Sequence, residues 1–175
     1  MLRTKPAVAV LCIAVFTSSA AAQRSNPAAT VTAFYEFDRA HDQAFNQSNM
    51  NTRKRWFSDT LNVLFENELK RQKEYLKQNP TDKPHFGDGV PFQPLQEQCK
   101  GEGRVVYLRK YRVGRANLRS YAATVPVTFY YPKACNIPDT EFTVRLIKVK
   151  NTWYVNDVEF PDGSTLIADL QRAKY

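Results

Sequence analysis

The sequence predicts an α+β domain in which helices come first, an antiparallel sheet follows and a short helix closes the chain. Two patterns predict it. Apolar residues recur at helical spacing within residues 30–45 and 53–78, whereas residues 123–131 alternate between apolar and more polar side chains. Helices that lie on one face of a curved sheet of about four strands form a cone with an open mouth.

The first 22 residues have the composition of an export signal. Arg3 and Lys5 precede an uncharged apolar run at residues 7–16, and a series of alanines ends at Ala22. Signal peptidases accept small residues at the first and third positions before the cleavage site, so we expect cleavage after Ala22. The apolar run is shorter than the roughly 20 residues that span a bilayer. The sequence therefore predicts a periplasmic or secreted protein whose mature form has no membrane span.

The mature chain has the length of one domain. Residues 23–29 are interpreted as a flexible leader and residues 30–175 as a single folded unit. Its first helix is expected over residues 30–45, and the polar stretch at residues 46–52 is expected to break it.

A second, longer helix is expected over residues 53–78. Ser58 and Asp59 offer a point where it divides into two, and Pro80 ends it. The residues from 81 to 103 are rich in proline and glycine and are predicted to be irregular. An irregular segment of this length in a small domain is usually functional or tied down.

The rest of the chain is predicted to be a meander. Four strands are expected, over residues 104–113, 123–131, 142–149 and 153–160. Residues 114–119 are predicted to turn, and Pro126 favours an edge position or a bulge for its strand. A tight turn at Asn151 joins the last two strands, and Ser164 is expected to cap the closing helix.

Removal of the signal changes the number of cysteines. Cys12 leaves with it, and the remaining pair, Cys99 and Cys135, is predicted to form a disulfide in an exported chain. This bond would close a loop of 37 residues and contribute about 3–4 kcal/mol. Two free thiols are the alternative. With His41 and His85 as the only histidines, we expect no structural metal and no cofactor.

The chain is basic, with 25 Lys and Arg against 17 Asp and Glu, a formal charge of +8. Loss of Arg3 and Lys5 lowers the charge to +6, and most of the remaining cations lie in clusters at residues 53–55, 70–77 and 104–119. Export makes nucleic acid an unexpected partner. Anionic lipid head groups, cell-wall polymers or an acidic protein fit better, and a solvated basic face is the alternative.

Three groups of residues resemble a known family, the domain-of-unknown-function 3828 family of exported bacterial proteins. They are Phe34-Tyr35 with the helix from Trp56; the segment 88–92 with Gln96; and the segments 125–129, 144–149, 153–158 and 163–166. In this order they cover most of residues 30–172. The resemblance implies a cone of the nuclear-transport-factor-2-like superfamily. It implies no reaction, because that superfamily contains isomerases, dehydratases and non-catalytic binders.

An enzyme of that superfamily usually places an acid or a base inside the cone. The candidates here are Asp38 and His41, which lie three residues apart and would share a helix face, and Asp157 on the last strand. Alternatively, Asp38 and His41 belong to the wet face of the first helix, and Asp157 forms hydrogen bonds in the sheet or caps a turn.

Aromatic side chains are the candidates for ligand binding. They are Tyr35, Trp56, Phe92, Tyr107 and Tyr130. Such side chains line sites for apolar or sugar-like ligands, although they also build cores. We therefore expect a non-catalytic module of the cell envelope that binds a small apolar or anionic ligand or an envelope protein, with monomer and homodimer as open alternatives. The alternative is a small isomerase or hydrolase that uses a carboxylate or histidine in the cone.

Overall fold

A computed structural model describes residues 25–94, 97–98, 105–106 and 110–172. The predicted export signal, Cys99 and Tyr107 lie outside the described residues. In the described part of the chain, no helix combines the length and apolar character needed to cross a bilayer.

The first helix, α1, spans Pro27–Arg39 and begins earlier than predicted. The Asn26 side chain accepts a hydrogen bond from the Ala29 amide, and proline at the first helical position is favourable. Residues 27–29, which were predicted to belong to the leader, are therefore helical. The helix also ends six residues before the predicted residue 45, and near its end the Gln43 and Arg53 side chains donate to the Asp38 carbonyl at 2.6 and 3.4 Å.

The polar stretch after α1 was predicted to interrupt helical structure, and this prediction was wrong. A second helix, α2, spans Gln47–Arg53 and is followed by one 3-10 turn at Lys54–Trp56. Asn46 caps α2 by accepting a hydrogen bond from the Asn49 amide at 2.9 Å. α2 has no apolar stripe. Its short polar residues are held in a helix by the Asn46 cap at one end and by the buried Arg53 at the other.

The long helix, α3, spans Asp59–Gln78. The predicted division before it is confirmed, since the Ser58 hydroxyl accepts a hydrogen bond from the Leu61 amide. The Ser58 amide also donates to the Val155 carbonyl at 2.9 Å, which fixes the start of α3 against the sheet. The helix ends at Gln78, as the Asn79-Pro80 pair predicted.

The α+β class is confirmed, with seven strands among the described residues. They are β1 Glu97–Gln98, β2 Val105–Val106, β3 Lys110–Val113, β4 Asn117–Arg119, β5 Ala122–Tyr130, β6 Thr140–Val149 and β7 Thr152–Glu159. The main sheet has the antiparallel order β3-β5-β6-β7, and β4 pairs with β5 beyond the end of β3; β1 and β2 pair separately. The predicted strand over 104–113 therefore contributes to two sheets, and three residues of the predicted turn at 114–119 form β4.

Pro126 lies in a central strand, not at an edge as predicted. Its carbonyl accepts a hydrogen bond from the Gly114 amide at 2.8 Å, on the side of β5 where β3 has ended and β4 has not begun. In an antiparallel strand the N–H and C=O of one residue point the same way. Proline has no N–H to donate. At residue 126 this costs the sheet no hydrogen bond within a strand pair, because this side of β5 faces the gap between β3 and β4.

The closing helix, α4, spans Leu166–Arg172. Ser164 was predicted to cap this helix, but two other side chains hold its start. The Thr165 hydroxyl accepts from the Ala168 amide at 3.3 Å, and the Asp157 carboxylate accepts from the Ile167 amide at 3.0 Å. The start of α4 is thus held by a side chain of β7.

The core lies between the helices and one face of the main sheet. α1 packs against β3, β5 and β7, while α3 packs against β7 and α4. The aromatic residues of this core are in mutual contact: Phe34, Tyr35, Phe57, Phe65, Phe92 and Phe129. β5 alternates between buried residues on this face and more exposed residues, such as Thr124 and Thr128, on the other, as its sequence predicted.

Candidate functional site

Three of the predicted binding aromatics are core residues. Tyr35 and Phe92 are fully buried and Trp56 nearly so. The Tyr35 hydroxyl donates a hydrogen bond to the Phe92 carbonyl at 2.7 Å, and burial raises the pKa of Tyr35 well above its usual value. These side chains fill the interior between α1 and the sheet and hold the segment that contains Phe92 against α1. Tyr107 lies outside the described residues.

Asp38 is buried in an ion pair at the end of α1. Its Oδ1 accepts a hydrogen bond from Arg53 Nε at 2.7 Å, and both side chains are fully buried. The Arg53 guanidinium also donates to the backbone carbonyls of Asn49 and Asp42, at 3.0 and 2.9 Å. Arg53 therefore clamps the end of α1, the following loop and α2 together.

The second oxygen of the Asp38 carboxylate has a different environment. Asp38 Oδ2 is buried and has no hydrogen-bond partner among the described residues. Burial raises the pKa of Asp38, while the positive charge and hydrogen bond of Arg53 act in the opposite direction. Burial therefore opposes the ionised form of Asp38, while Arg53 and, to a smaller extent, His41 favour it.

His41 does not join Asp38 on a helix face, because α1 ends at Arg39. The imidazole is exposed and lies against the Phe37 ring, with the ring centroids 3.9 Å apart, and its Nδ1 is 2.6 Å from the Phe37 carbonyl oxygen. Asp157 is buried at the other end of the core, where its Oδ1 accepts from the Val158 and Ile167 amides. The three catalytic candidates are therefore not brought together in one pocket, and Asp157 has the hydrogen-bonding role given as its alternative.

A third buried carboxylate, Glu68, was missed by the sequence analysis as a candidate. Glu68 on α3 is fully buried and accepts hydrogen bonds from Arg71 Nε and Nη2 at 3.0 and 2.5 Å. His85 Nδ1 lies 3.4 Å from the other carboxylate oxygen, and Arg71 also donates to the Leu170 carbonyl at 2.5 Å. This cluster joins the loop after α3 to α4. A glutamate within the apolar stripe of a predicted helix was the signal that could have revealed it.

Tyr130, the remaining binding candidate, lines an open pocket at the end of β5. The pocket has a volume of about 560 Å³. Its lining consists of Lys110, Tyr111, Arg112, Tyr130, Tyr131, Lys133 and Asp139; we call it the β5-end pocket. Lys110 lies directly opposite Tyr130 in the register of β3 and β5, and the loop after β5 supplies Lys133 and Asp139.

The β5-end pocket is positively charged. Lys110, Arg112 and Lys133 are exposed and form no ion pair within the described part of the chain, and Asp139 is the only acid in the lining. Lys110 Nζ lies 5.4 Å from the centroid of the Tyr130 ring, which places a cation beside an aromatic face. These groups can pair with an anion and stack on a ring at the same time.

The opposite wall of the pocket is anchored in the core. The half-buried Tyr111 contacts the Tyr35 and Phe129 rings and lies under the Arg39 guanidinium, 5.4 Å from its ring centroid. Burial raises the pKa of Tyr111 above its usual value. The pocket thus combines an aromatic wall packed against the core with exposed cationic side chains.

Of this lining, the sequence analysis named Tyr130 as a candidate and placed Lys110 and Arg112 in a basic cluster without assigning them a site. It missed Lys133 and Asp139, which reach the pocket only through the fold of the loop after β5. Within the residues that the structure describes, no group of three His, Cys, Asp or Glu side chains could hold a metal ion.

Cys135 lies close to the β5-end pocket in the sequence and in the fold. Its side chain is fully buried in a small apolar cluster with Tyr131 and Ile137. Because Cys99 lies outside the described residues, the Cys99–Cys135 disulfide stays a prediction.

Neither the known family models nor the curated proteins nor the solved structures contain a match to this chain.

Proposed function

We propose that this chain is a non-catalytic binding module that takes a small anionic ligand in the β5-end pocket. The observation that supports it most is that the pocket has three exposed cations that form no ion pair with the residues that the structure describes, one of which, Lys110, lies beside the Tyr130 ring. Unpaired cations around a concave surface raise the local concentration of anions. An aromatic face beside them favours a ligand that also carries a ring.

The setting of this function is part of the proposal. Residues 1–22 act as an export signal, and the mature chain works in the periplasm or outside the cell. We also propose that the helices and the main sheet form a cone of the nuclear-transport-factor-2-like type, which is what the resemblance to the domain-of-unknown-function 3828 family implies. In that arrangement the β5-end pocket lies beside the edge strand β3, and Tyr111 connects it to the packed interior.

Native mass spectrometry of protein purified from the periplasm tests the proposal. We expect the wild-type chain to retain an anionic ligand that the Arg112→Glu/Lys133→Glu variant loses. Lys70→Glu changes an exposed cation on α3 and serves as the matched control, which should retain the ligand. Equal retention by the pocket variant, or retention of a cationic molecule, would contradict the proposal. The same spectra report whether the chain is a homodimer.

The buried carboxyl of Asp38 supports a second candidate function, acid–base catalysis. A raised pKa is a feature of catalytic acids in apolar sites, and Asp38 Oδ2 has no hydrogen-bond partner among the described residues that would occupy it. This candidate requires turnover that survives purification and is lost in Asp38→Asn. If Asp38→Asn changes the stability of the chain and leaves its activity unchanged, acid–base catalysis by Asp38 is excluded.

A further inference from the structure

Two hairpin turns lie side by side at the end of the main sheet opposite the β5-end pocket. Ser120-Tyr121 joins β4 to β5, and Lys150-Asn151 joins β6 to β7. The Lys148 amide donates a hydrogen bond to the Tyr121 carbonyl at 2.7 Å, so the two turns are held against each other. We call residues 118–121 and 148–151 the hairpin tips.

The hairpin tips expose apolar side chains. Within the described residues four large hydrophobic side chains are exposed, and three of them lie here: Leu118 at 60%, Tyr121 at 76% and Val149 at 48%. The fourth, Val63 on α3, is 55% exposed. Clustering of most such residues at one end of a sheet marks a contact surface, whereas single exposed hydrophobics are ordinary.

The charge of the hairpin tips has one sign. Arg119, Lys148 and Lys150 lie among the apolar residues, and residues 117–123 and 146–154 contain no Asp or Glu. None of the three cations forms an ion pair within the part of the chain that the structure describes; Lys148 Nζ lies 5.8 Å from the centroid of the Trp153 ring. The surface is therefore both apolar and cationic.

We propose that the hairpin tips dock on the surface of an anionic lipid bilayer. Tyr121 lies in a turn, and Leu118 and Val149 lie in the strand ends beside the two turns. Exposed apolar side chains at such positions can enter the boundary between head groups and acyl chains, and tyrosine is enriched at that level. Basic residues beside them pair with anionic head groups, each strengthening binding by roughly fivefold near the surface. The contact is peripheral and reversible, because three side chains bury little apolar area.

This orientation has a consequence for the rest of the molecule. β5 runs from Ala122 beside the tips to Tyr130 in the β5-end pocket, and nine extended residues span about 25 Å. A chain docked through its tips therefore presents the pocket to the aqueous side. Docking does not depend on the proposed ligand function, since the two surfaces share no residue.

Vesicle flotation tests the docking surface with the purified mature chain. The probes are vesicles of phosphatidylcholine alone and vesicles with about 30% phosphatidylglycerol. We expect binding to the anionic vesicles, at least tenfold weaker binding for Arg119→Glu/Lys150→Glu, and several-fold weaker binding for Leu118→Ser/Tyr121→Ser. Binding to phosphatidylcholine alone should be much weaker for every chain.

Matched controls keep the test specific. Val63→Ser removes an exposed hydrophobic of α3, and Lys70→Glu reverses an exposed charge of the same helix; both should bind like wild type. Circular dichroism melting confirms that each variant is folded. The proposal is overturned if the wild type binds no vesicle or binds both kinds of vesicle equally. It is also overturned if the control variants lose as much vesicle binding as the tip variants. Wild-type binding by Leu118→Ser/Tyr121→Ser would also contradict it.

Discussion

At the scale of single residues, the most informative feature is that the fold buries charged groups and pairs them. Asp38 and Arg53 are fully buried against each other, and Glu68 lies under Arg71 and His85. The sequence analysis placed Asp38 correctly on the first helix but did not identify Arg53 as its partner. The two residues are 15 positions apart, and only the unexpected helix α2 brings the guanidinium back to α1.

Arg53→Met should lower the free energy of unfolding by about 3–5 kcal/mol, because it leaves the Asp38 carboxylate buried without its cation. Urea denaturation measures this change. The neighbouring Lys54→Met is the control, since Lys54 pairs with Glu66 at 2.6 Å on an exposed surface and its loss should change stability by less than about 1 kcal/mol. Similar losses for both variants would contradict the clamp.

The ionisation of Asp38 should also give stability a pH dependence. Because burial raises the pKa of Asp38, the folded chain holds this proton more tightly than the unfolded chain does. Its contribution to the free energy of unfolding is therefore most favourable below the unfolded pKa of about 3.9 and declines as the pH rises through the raised folded pKa. Asp38→Asn should remove this decline in urea titrations at a series of pH values. A variant that loses more stability at high pH than at low pH would contradict the assignment.

At the scale of elements, the periodic segments were predictable and the elements held by side-chain hydrogen bonds were not. The alternation along β5 and the apolar stripe of α3 identified both, since these elements bury one face. α2 has no apolar stripe; its residues are ordered by the Asn46 cap and by Arg53. Pro126 suggested an edge strand because the sequence does not reveal where β3 stops and β4 begins.

The start of α4 offers a test at this scale. Asp157→Ala should lower the free energy of unfolding by about 1–2 kcal/mol, because it removes the acceptor of the Ile167 and Val158 amides. Asp157→Asn keeps an acceptor oxygen and should lose clearly less. Thermal melting of the two variants makes the comparison. If Ala and Asn have equal effects, the hydrogen bonds to Asp157 do not hold α4.

At the scale of the whole molecule, the two ends of the main sheet differ in character. One end carries the β5-end pocket, and the other carries the hairpin tips. Of the pocket, sequence reasoning could reach Tyr130 and the basic cluster around Lys110. It could not predict that Lys110 lies opposite Tyr130, because that depends on strand register. It could not predict that Lys133 lines the same pocket, because that depends on the path of the loop after β5.

The intact mass of the exported protein tests the predicted processing. Cleavage after Ala22 gives a chain that begins at Gln23, and a Cys99–Cys135 disulfide lowers its mass by about two hydrogen atoms relative to the reduced chain. We expect this difference to disappear after treatment with a reducing agent. Alkylation of both thiols without prior reduction would show that the bridge is absent.

The proposal of an anion-binding module rests on the β5-end pocket, and an NMR titration of the labelled mature chain tests it most directly. The probe is a naphthalene sulfonate, compared with an uncharged naphthalene alcohol of the same size. We predict that the sulfonate shifts the amide signals of β3, of the end of β5 and of residues 131–139, and that Arg112→Glu/Lys133→Glu abolishes these shifts. Shifts confined to other parts of the chain, or equal shifts with the uncharged alcohol, would contradict the proposal.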